Sequence, residues 1–219
     1  MSTTTSLSAK NWKKLLNSSV NDVTGVVKNG ASSAWINAQN VVEKIRGGPP
    51  EGMPFLPVPP PSTAPENCAG PEAEMWEKIR QGDLRMAQAG NAIGLRKRNR
   101  FIDDALNCYT KAQGHKTNET LYLNWGLAFL AKALHVPEKK RDPFFNAAVD
   151  KFLAGNVISP HYFDFSLASL YAIIGLTSEC RKWLEIARES NRLDVESLRH
   201  APDFDNMRQQ PWFNNFLKD

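Results

Sequence analysis

The chain has 219 residues, 42% apolar, 23% charged and 10% aromatic, an ordinary globular composition that excludes full disorder. No run reaches the roughly 18 uninterrupted apolar residues of a membrane-spanning helix. Cys68, Cys108 and Cys180 are too few and too scattered for a disulfide framework and suit a reducing compartment. The net charge of +4 lies wholly in residues 1–48, which hold six basic and two acidic residues, while residues 49–219 hold 21 of each. A basic tail on a neutral body implies an anionic partner for the tail: a lipid surface, a nucleic acid or an acidic protein.

Composition divides the chain into a tail, 1–48, without proline; a segment, 49–71, with nine of the fourteen prolines; and a helical body, 72–219. In the tail, apolar residues keep a helical period from about residue 8 to residue 46. Trp12, Leu15, Leu16, Val20, Val23, Val27, Trp35, Val41 and Ile45 share one face, and only Ile36 falls opposite. Lys10, Lys28 and Arg46 stand at the edge of that stripe, where a long cationic side chain reaches lipid headgroups. Lys13 and Lys14 lie beside Trp12. Gly25, Gly30 and the valines make the intrinsic helix propensity poor, so the helix needs a surface to form on. In style it resembles lipid-surface helices of the apolipoprotein and synuclein kind. The contact residues are Trp12, Lys13, Lys14, Leu15, Leu16, Val23, Val27 and Trp35, and a membrane surface, a partner helix and the chain's own body stay open as the surface they meet. The first 21 residues lack an acid and are rich in Ser, Thr and Lys, a bias shared with organellar transit peptides, which prefer arginine. There is no apolar core of a secretory signal, so the expected location is intracellular, in the cytoplasm or at a membrane surface, with organellar import open and secretion excluded.

Residues 49–71 cannot be helix or central strand, because proline removes a backbone donor and clashes with the preceding turn. An extended spacer is expected, with polyproline character over Pro57–Pro61. The loose PxxP pattern of Pro54-Phe-Leu-Pro57 also fits a ligand for aromatic grooves, and Phe55 and Leu56 are placed to tack the segment onto the body.

The body carries a recurring small–large–small ridge: Ala105, Tyr109 and Ala112; Ala148, Phe152 and Gly155; Cys180, Leu184 and Ala187. The i, i+4, i+7 spacing puts each ridge on one helix face, where small residues admit a neighbouring helix and the large one fills the gap. Companion helices read Tyr122-Leu-Asn-Trp125-Gly126-Leu-Ala-Phe129 and Leu167-Ala168-Ser-Leu-Tyr171 with Gly175. These residues resemble the tetratricopeptide repeat family, whose helix–turn–helix unit of about 34 residues has a large residue, Leu-Gly and Tyr in its first helix and Ala, an aromatic, Ala and Pro in its second. The second repeat, Tyr122 to Pro160, fits best, with about ten extra residues near His135–Asp142. The third lacks the closing proline. In the first, Ile93-Gly94 stands one residue out of register. The resemblance implies an all-α body of about three repeats. It also implies a C-terminal cap in which Asp203 or Asp205 starts a short helix, Pro211 starts another, and Phe204, Trp212, Phe213 and Phe216 seal the open end.

The resemblance places Leu123, Leu127, Leu130, Phe165, Ser169 and Ile173 on a partner groove or in the core. Their apolar character argues against a clamp for C-terminal carboxylates and suits an amphipathic helix or extended apolar peptide. Arg96, Lys97, Arg98 and Arg100 form the one dense basic cluster, either a solvated helix end or a contact for phosphate or an acidic peptide. His115, His135, His161 and His200 are isolated, with no Cys, Glu or His at metal-ligand spacing, and no nucleophile-elbow, phosphate-loop or dinucleotide motif occurs. No cofactor or metal is therefore expected, and no catalysis. The expected function is a non-enzymatic adaptor or scaffold whose body binds one or more proteins and whose tail, residues 8–46, binds a membrane surface or a second partner. The alternatives are a constitutive subunit of a large assembly and a nucleic-acid-associated factor, the latter disfavoured because the body lacks an aromatic–basic module.

Overall fold

Pro71 stands in the first turn of helix α1, Pro71–Asn91, where its missing N–H costs no intrahelical bond. This computed structural model describes residues 57–59, 61–114 and 117–218. After α1 come α2 (Leu95–Gln113), α3 (Glu119–His135), α4 (Asp142–Ile158), α5 (Asp164–Ile174), α6 (Thr177–Glu189), α7 (Val195–His200) and α8 (Pro211–Phe216). No strand occurs among the described residues, so the described chain is all-α. The expected tail helix over residues 8–46 lies outside the described residues, as do Phe55 and Leu56.

Short connections fold α1 with α2, α3 with α4 and α5 with α6 as helical hairpins, and each helix packs chiefly on its neighbours in the chain. Gly94, at φ 90°, turns the backbone into α2 through a conformation that side chains disfavour, and Gly175, at φ 84°, ends α5 in the left-handed region. Asn118 caps α3, its Oδ1 accepting from the Leu121 N–H at 2.8 Å.

The ridges work by fitting rings over glycines. A Cβ on Gly82 would lie 2.4 Å from the Tyr109 ring, and one on Gly126 would lie 2.2 Å from the Phe152 ring. Absence of a side chain therefore lets α1 meet α2, and α3 meet α4, at close range. Ala105, Ala112, Ala148, Cys180, Leu184 and Ala187, the other ridge residues, are also buried. The expectation for Ile93-Gly94 is overturned. These residues form the α1–α2 turn, Ile93 is 86% exposed, and the glycine beneath Tyr109 is Gly82, twelve residues before Gly94. Of the extra residues expected near His135–Asp142, only a short charged turn between Pro137 and Pro143 lies outside the helices. A single 3-10 turn, Glu138–Lys140, joins α3 to α4, and the added length continues the helices, each of 17 residues against 11 and 13 in the third hairpin.

Two apolar clusters result. The first gathers Met75, Ile79, Met86, Ile102, Tyr109, Leu121 and Trp125 from α1–α3. The second gathers Phe152, Phe163, Phe165, Leu184, Phe204 and Phe213 from the later elements. Each such side chain, fully buried, stabilises the fold by about 1.5–3 kcal/mol. The C-terminal aromatics pack inward: Phe204, Phe213 and Phe216 are buried, and Trp212 packs edge-on against Phe213 at 5.5 Å. Pro211 opens α8. Capping differs, since Asp194 caps α7 through the Ser197 N–H at 3.1 Å, while Asp203 and Asp205 bond elsewhere.

The described part of the proline-rich segment is not a free spacer. Pro57 and Pro59 are buried, and Val58 packs against the first cluster.

Candidate functional site

A buried polar node holds that segment. Asp83 is 5% exposed and stands within the apolar face of α1, between Ile79 and Met86. Its Oδ2 accepts from the Ser62 N–H at 2.9 Å. Its Oδ1 accepts from the Tyr109 hydroxyl at 2.8 Å and from Asn124 Nδ2 at 2.8 Å. Asn124 Nδ2 also reaches Ser62 Oγ at 3.0 Å. One carboxylate thus joins α1, α2, α3 and the proline-rich segment. Burial pushes the Asp83 carboxyl above the usual range, against the opposing pull of the bonds from Ser62, Tyr109 and Asn124. Burial, and then the charge of Asp83, push the Tyr109 hydroxyl well up. Beside the node a cleft of about 410 Å³ opens, with Val58, Pro59 and Pro61 on one wall and Gln81, Leu84 and Ala87 on the other. Sequence reasoning missed the node. The available signal was a polar residue at a core position of the helical period: Asp83 in α1, and Asn124 within the run from Leu121 to Ala131 that is otherwise almost entirely apolar.

The expected groove is closed. Leu123, Leu127, Leu130, Phe165 and Ser169 are buried, and Ile173 is half-buried. The C-terminal segment covers part of this face: Phe204 packs on Phe165 at 5.5 Å, and the Ser169 hydroxyl donates to the Asp203 carboxylate. Burial pushes the Asp203 carboxyl up, while the Ser169 bond pulls it down. Leu123, Leu127 and Leu130 belong to the same cluster as Phe152 and Phe163 and are core.

The basic cluster splits. Arg96, Lys97 and Arg100 are exposed, but Arg98 is 2% exposed and leaves the surface. Its Nη1 meets His135 Nε2 at 3.1 Å, and Nη2 donates to the Ala92 carbonyl at 3.4 Å. His135 Nδ1 lies 2.8 Å from the Ala131 carbonyl, an acceptor only, so the ring is neutral with its proton on Nδ1 and Nε2 accepts from Arg98. Burial pulls the His135 pKa down, and the Arg98 charge adds to this. Asn99 Nδ2 donates to the His135 carbonyl at 3.0 Å, fastening the start of α2 to the end of α3.

Two of the histidines expected to be isolated have carboxylate partners: His161 Nδ1 lies 2.9 Å from Asp164 and His200 Nε2 lies 3.0 Å from Glu196. Both pairs are local, within four residues in sequence. Among the described residues no group of three or more His, Cys, Asp and Glu side chains converges in a way suited to a metal ion, and no helix is long and apolar enough to cross a membrane. Trp12, Lys13, Lys14, Leu15, Leu16, Val23, Val27 and Trp35 lie outside the described residues. Comparison with protein-family models, with curated proteins and with solved structures finds no match for this chain.

Proposed function

We propose that this chain is a non-enzymatic adaptor built on tetratricopeptide-like hairpins, whose body binds a protein partner and whose basic tail binds a membrane surface. The observation that carries this reading is the repeated fit of a ring over a glycine, Tyr109 on Gly82 and Phe152 on Gly126, in consecutive hairpins that pack mainly on their chain neighbours. Stacks of this kind act through surface rather than through a catalytic pocket. With the expected groove closed, the partner arm of the proposal moves to the cleft beside α1, where Leu84 is 58% exposed next to Val58 and Pro59.

Circular dichroism of a peptide spanning residues 1–48, alone and with anionic vesicles, tests the tail. A coil that turns helical on vesicles supports it, and a persistent coil sinks it. A photoreactive residue at position 84 tests the cleft by crosslinking one protein that a probe at exposed Glu185 does not. A second reading, a constitutive subunit of a larger assembly, is favoured by the docking of Pro57, Val58, Pro59 and Ser62 along the body. Copurification with a fixed set of subunits would select it.

A further inference from the structure

The α1–α2 and α3–α4 turns are separated by about forty residues in sequence and lie together at one end of the body. Two contacts hold them there, Arg98 to His135 and Asn99 to the His135 carbonyl, while Arg141 Nε donates to the Val136 carbonyl within the second turn at 3.4 Å. Two features of this end are out of keeping with a plain solvated surface. First, Ile93 and Leu95 are 86% and 52% exposed, side by side at the tip of a turn. Second, residues 92–100 and 136–142 carry seven cations against two acids, Glu138 and Asp142, in a body whose 21 cations and 21 acids cancel as a whole. Of these cations Arg96, Lys97, Arg100, Lys139 and Lys140 are exposed. The α2 cations also crowd the positive end of a helix dipole, with no acid in the first turn to offset them.

We propose that this end of the body is a docking surface for an anionic lipid bilayer. Cations reach the headgroups while Ile93 and Leu95 enter the boundary between headgroup and acyl chain. The exposed apolar side chains among the cations are aliphatic. A nucleic-acid surface would be served by aromatic rings that stack on bases. The inference deepens the membrane-binding arm of the proposed function but rests on residues outside the tail.

The test is sedimentation of the full chain with vesicles of phosphatidylserine and phosphatidylcholine, and with phosphatidylcholine alone. One variant combines Arg96→Glu, Lys97→Glu and Arg100→Glu. A second combines Ile93→Ser and Leu95→Ser, and a third, in the tail, combines Lys10→Glu, Lys13→Glu and Lys14→Glu. Glutamate suits the start of a helix and the replaced side chains are exposed, so the edge variants keep the fold, which equal helicity by circular dichroism checks. The expected result is that the charge variant binds mixed vesicles at least about tenfold more weakly and the serine variant several-fold more weakly, with or without the tail changes. Edge variants that sediment like the unaltered chain overturn the inference, even where the tail variant loses binding. Loss of binding in the edge variants with an unaffected tail variant upholds the inference and counts against the tail instead. Charge reversal that abolishes capture of an RNA or an acidic polypeptide while leaving vesicle binding intact also overturns it.

Discussion

Around α1–α3 the buried helix faces carry Asp83 and Asn124 among Met75, Ile79 and Trp125, whereas from α4 onward the interior is filled by Phe152, Phe163, Phe165, Phe204 and Phe213. The first region has one carboxylate bonded from three other elements at its centre. In the second, Asp164 pairs with His161 three residues away, and Asp203 receives Ser169 where the C-terminal turn meets α5. Aromatic packing stabilises without demanding an exact partner, so it suits the sealing of an open end. A buried carboxylate costs free energy unless every donor is in place, so it suits the fixing of one particular segment in one register. The polar region is the one that holds the proline-rich segment.

The largest effect is expected where the aromatic seal is removed. Phe204→Ala strips the ring from Phe165 and Phe213 and should cost about 4 kcal/mol in urea unfolding. Asp83→Ala comes next, at about 3 kcal/mol, because it strands the buried Tyr109 hydroxyl and the Asn124 amide. It should also open residues 57–62 to limited proteolysis, which Phe204→Ala should not. Equal cleavage in both variants would erase the contrast between the regions.

A finer comparison sets Gly82→Ala against Gly126→Ala. The added methyl meets Tyr109 at 2.4 Å in one and Phe152 at 2.2 Å in the other, so clash distance alone predicts a slightly larger cost at Gly126. Tyr109, however, is held by its hydroxyl on Asp83, whereas Phe152 has no polar anchor and is free to shift. Gly82→Ala should therefore cost more, about 2 kcal/mol, and its loss together with Tyr109→Phe should be less than the sum of the two separate losses, because the ring freed from Asp83 can shift. Calorimetric melting of Gly82→Ala, Gly126→Ala, Tyr109→Phe and the Gly82→Ala, Tyr109→Phe double variant decides the matter.

Periodicity made the helices and the three ridges legible, because buried Ala, Tyr, Phe and Leu at i, i+4 and i+7 have little freedom to mean anything else. It missed Gly82 because extra length was read into the second hairpin alone, where Gly126 and Phe152 stand 26 residues apart, while Gly82 and Tyr109 stand 27 apart in the first, so the shorter family spacing pointed to Gly94. The groove was misread for a different reason. Phe165 and Ser169 occupy the expected faces, but whether a face is open depends on the C-terminal turn that lies over it, and no local pattern encodes that contact. Arg98 shows the same limit, since in sequence it is one of four similar cations and only the position of His135 draws it inward.

The smallest predicted effect concerns that pair. His135 is a base whose folded pKa lies below its ordinary value near 6.5, so below that pH the unfolded chain binds the proton more readily than the folded one. Its contribution to stability is complete above pH 6.5 and is lost as pH falls through 6.5 toward the folded value. Protonation would add a donor at Nε2, facing the Arg98 guanidinium, and would set two cations 3.1 Å apart. Asp83 works in the opposite sense, since its raised pKa lets the folded state take up a proton first as pH falls. The two are separated by comparing the unaltered chain with His135→Leu. The variant should melt lower at every pH, because Arg98 loses its acceptor, yet its melting temperature should change less between pH 7.5 and 5.5, a window around the ordinary His value near 6.5. Parallel pH profiles would show that His135 carries no proton-linked stability.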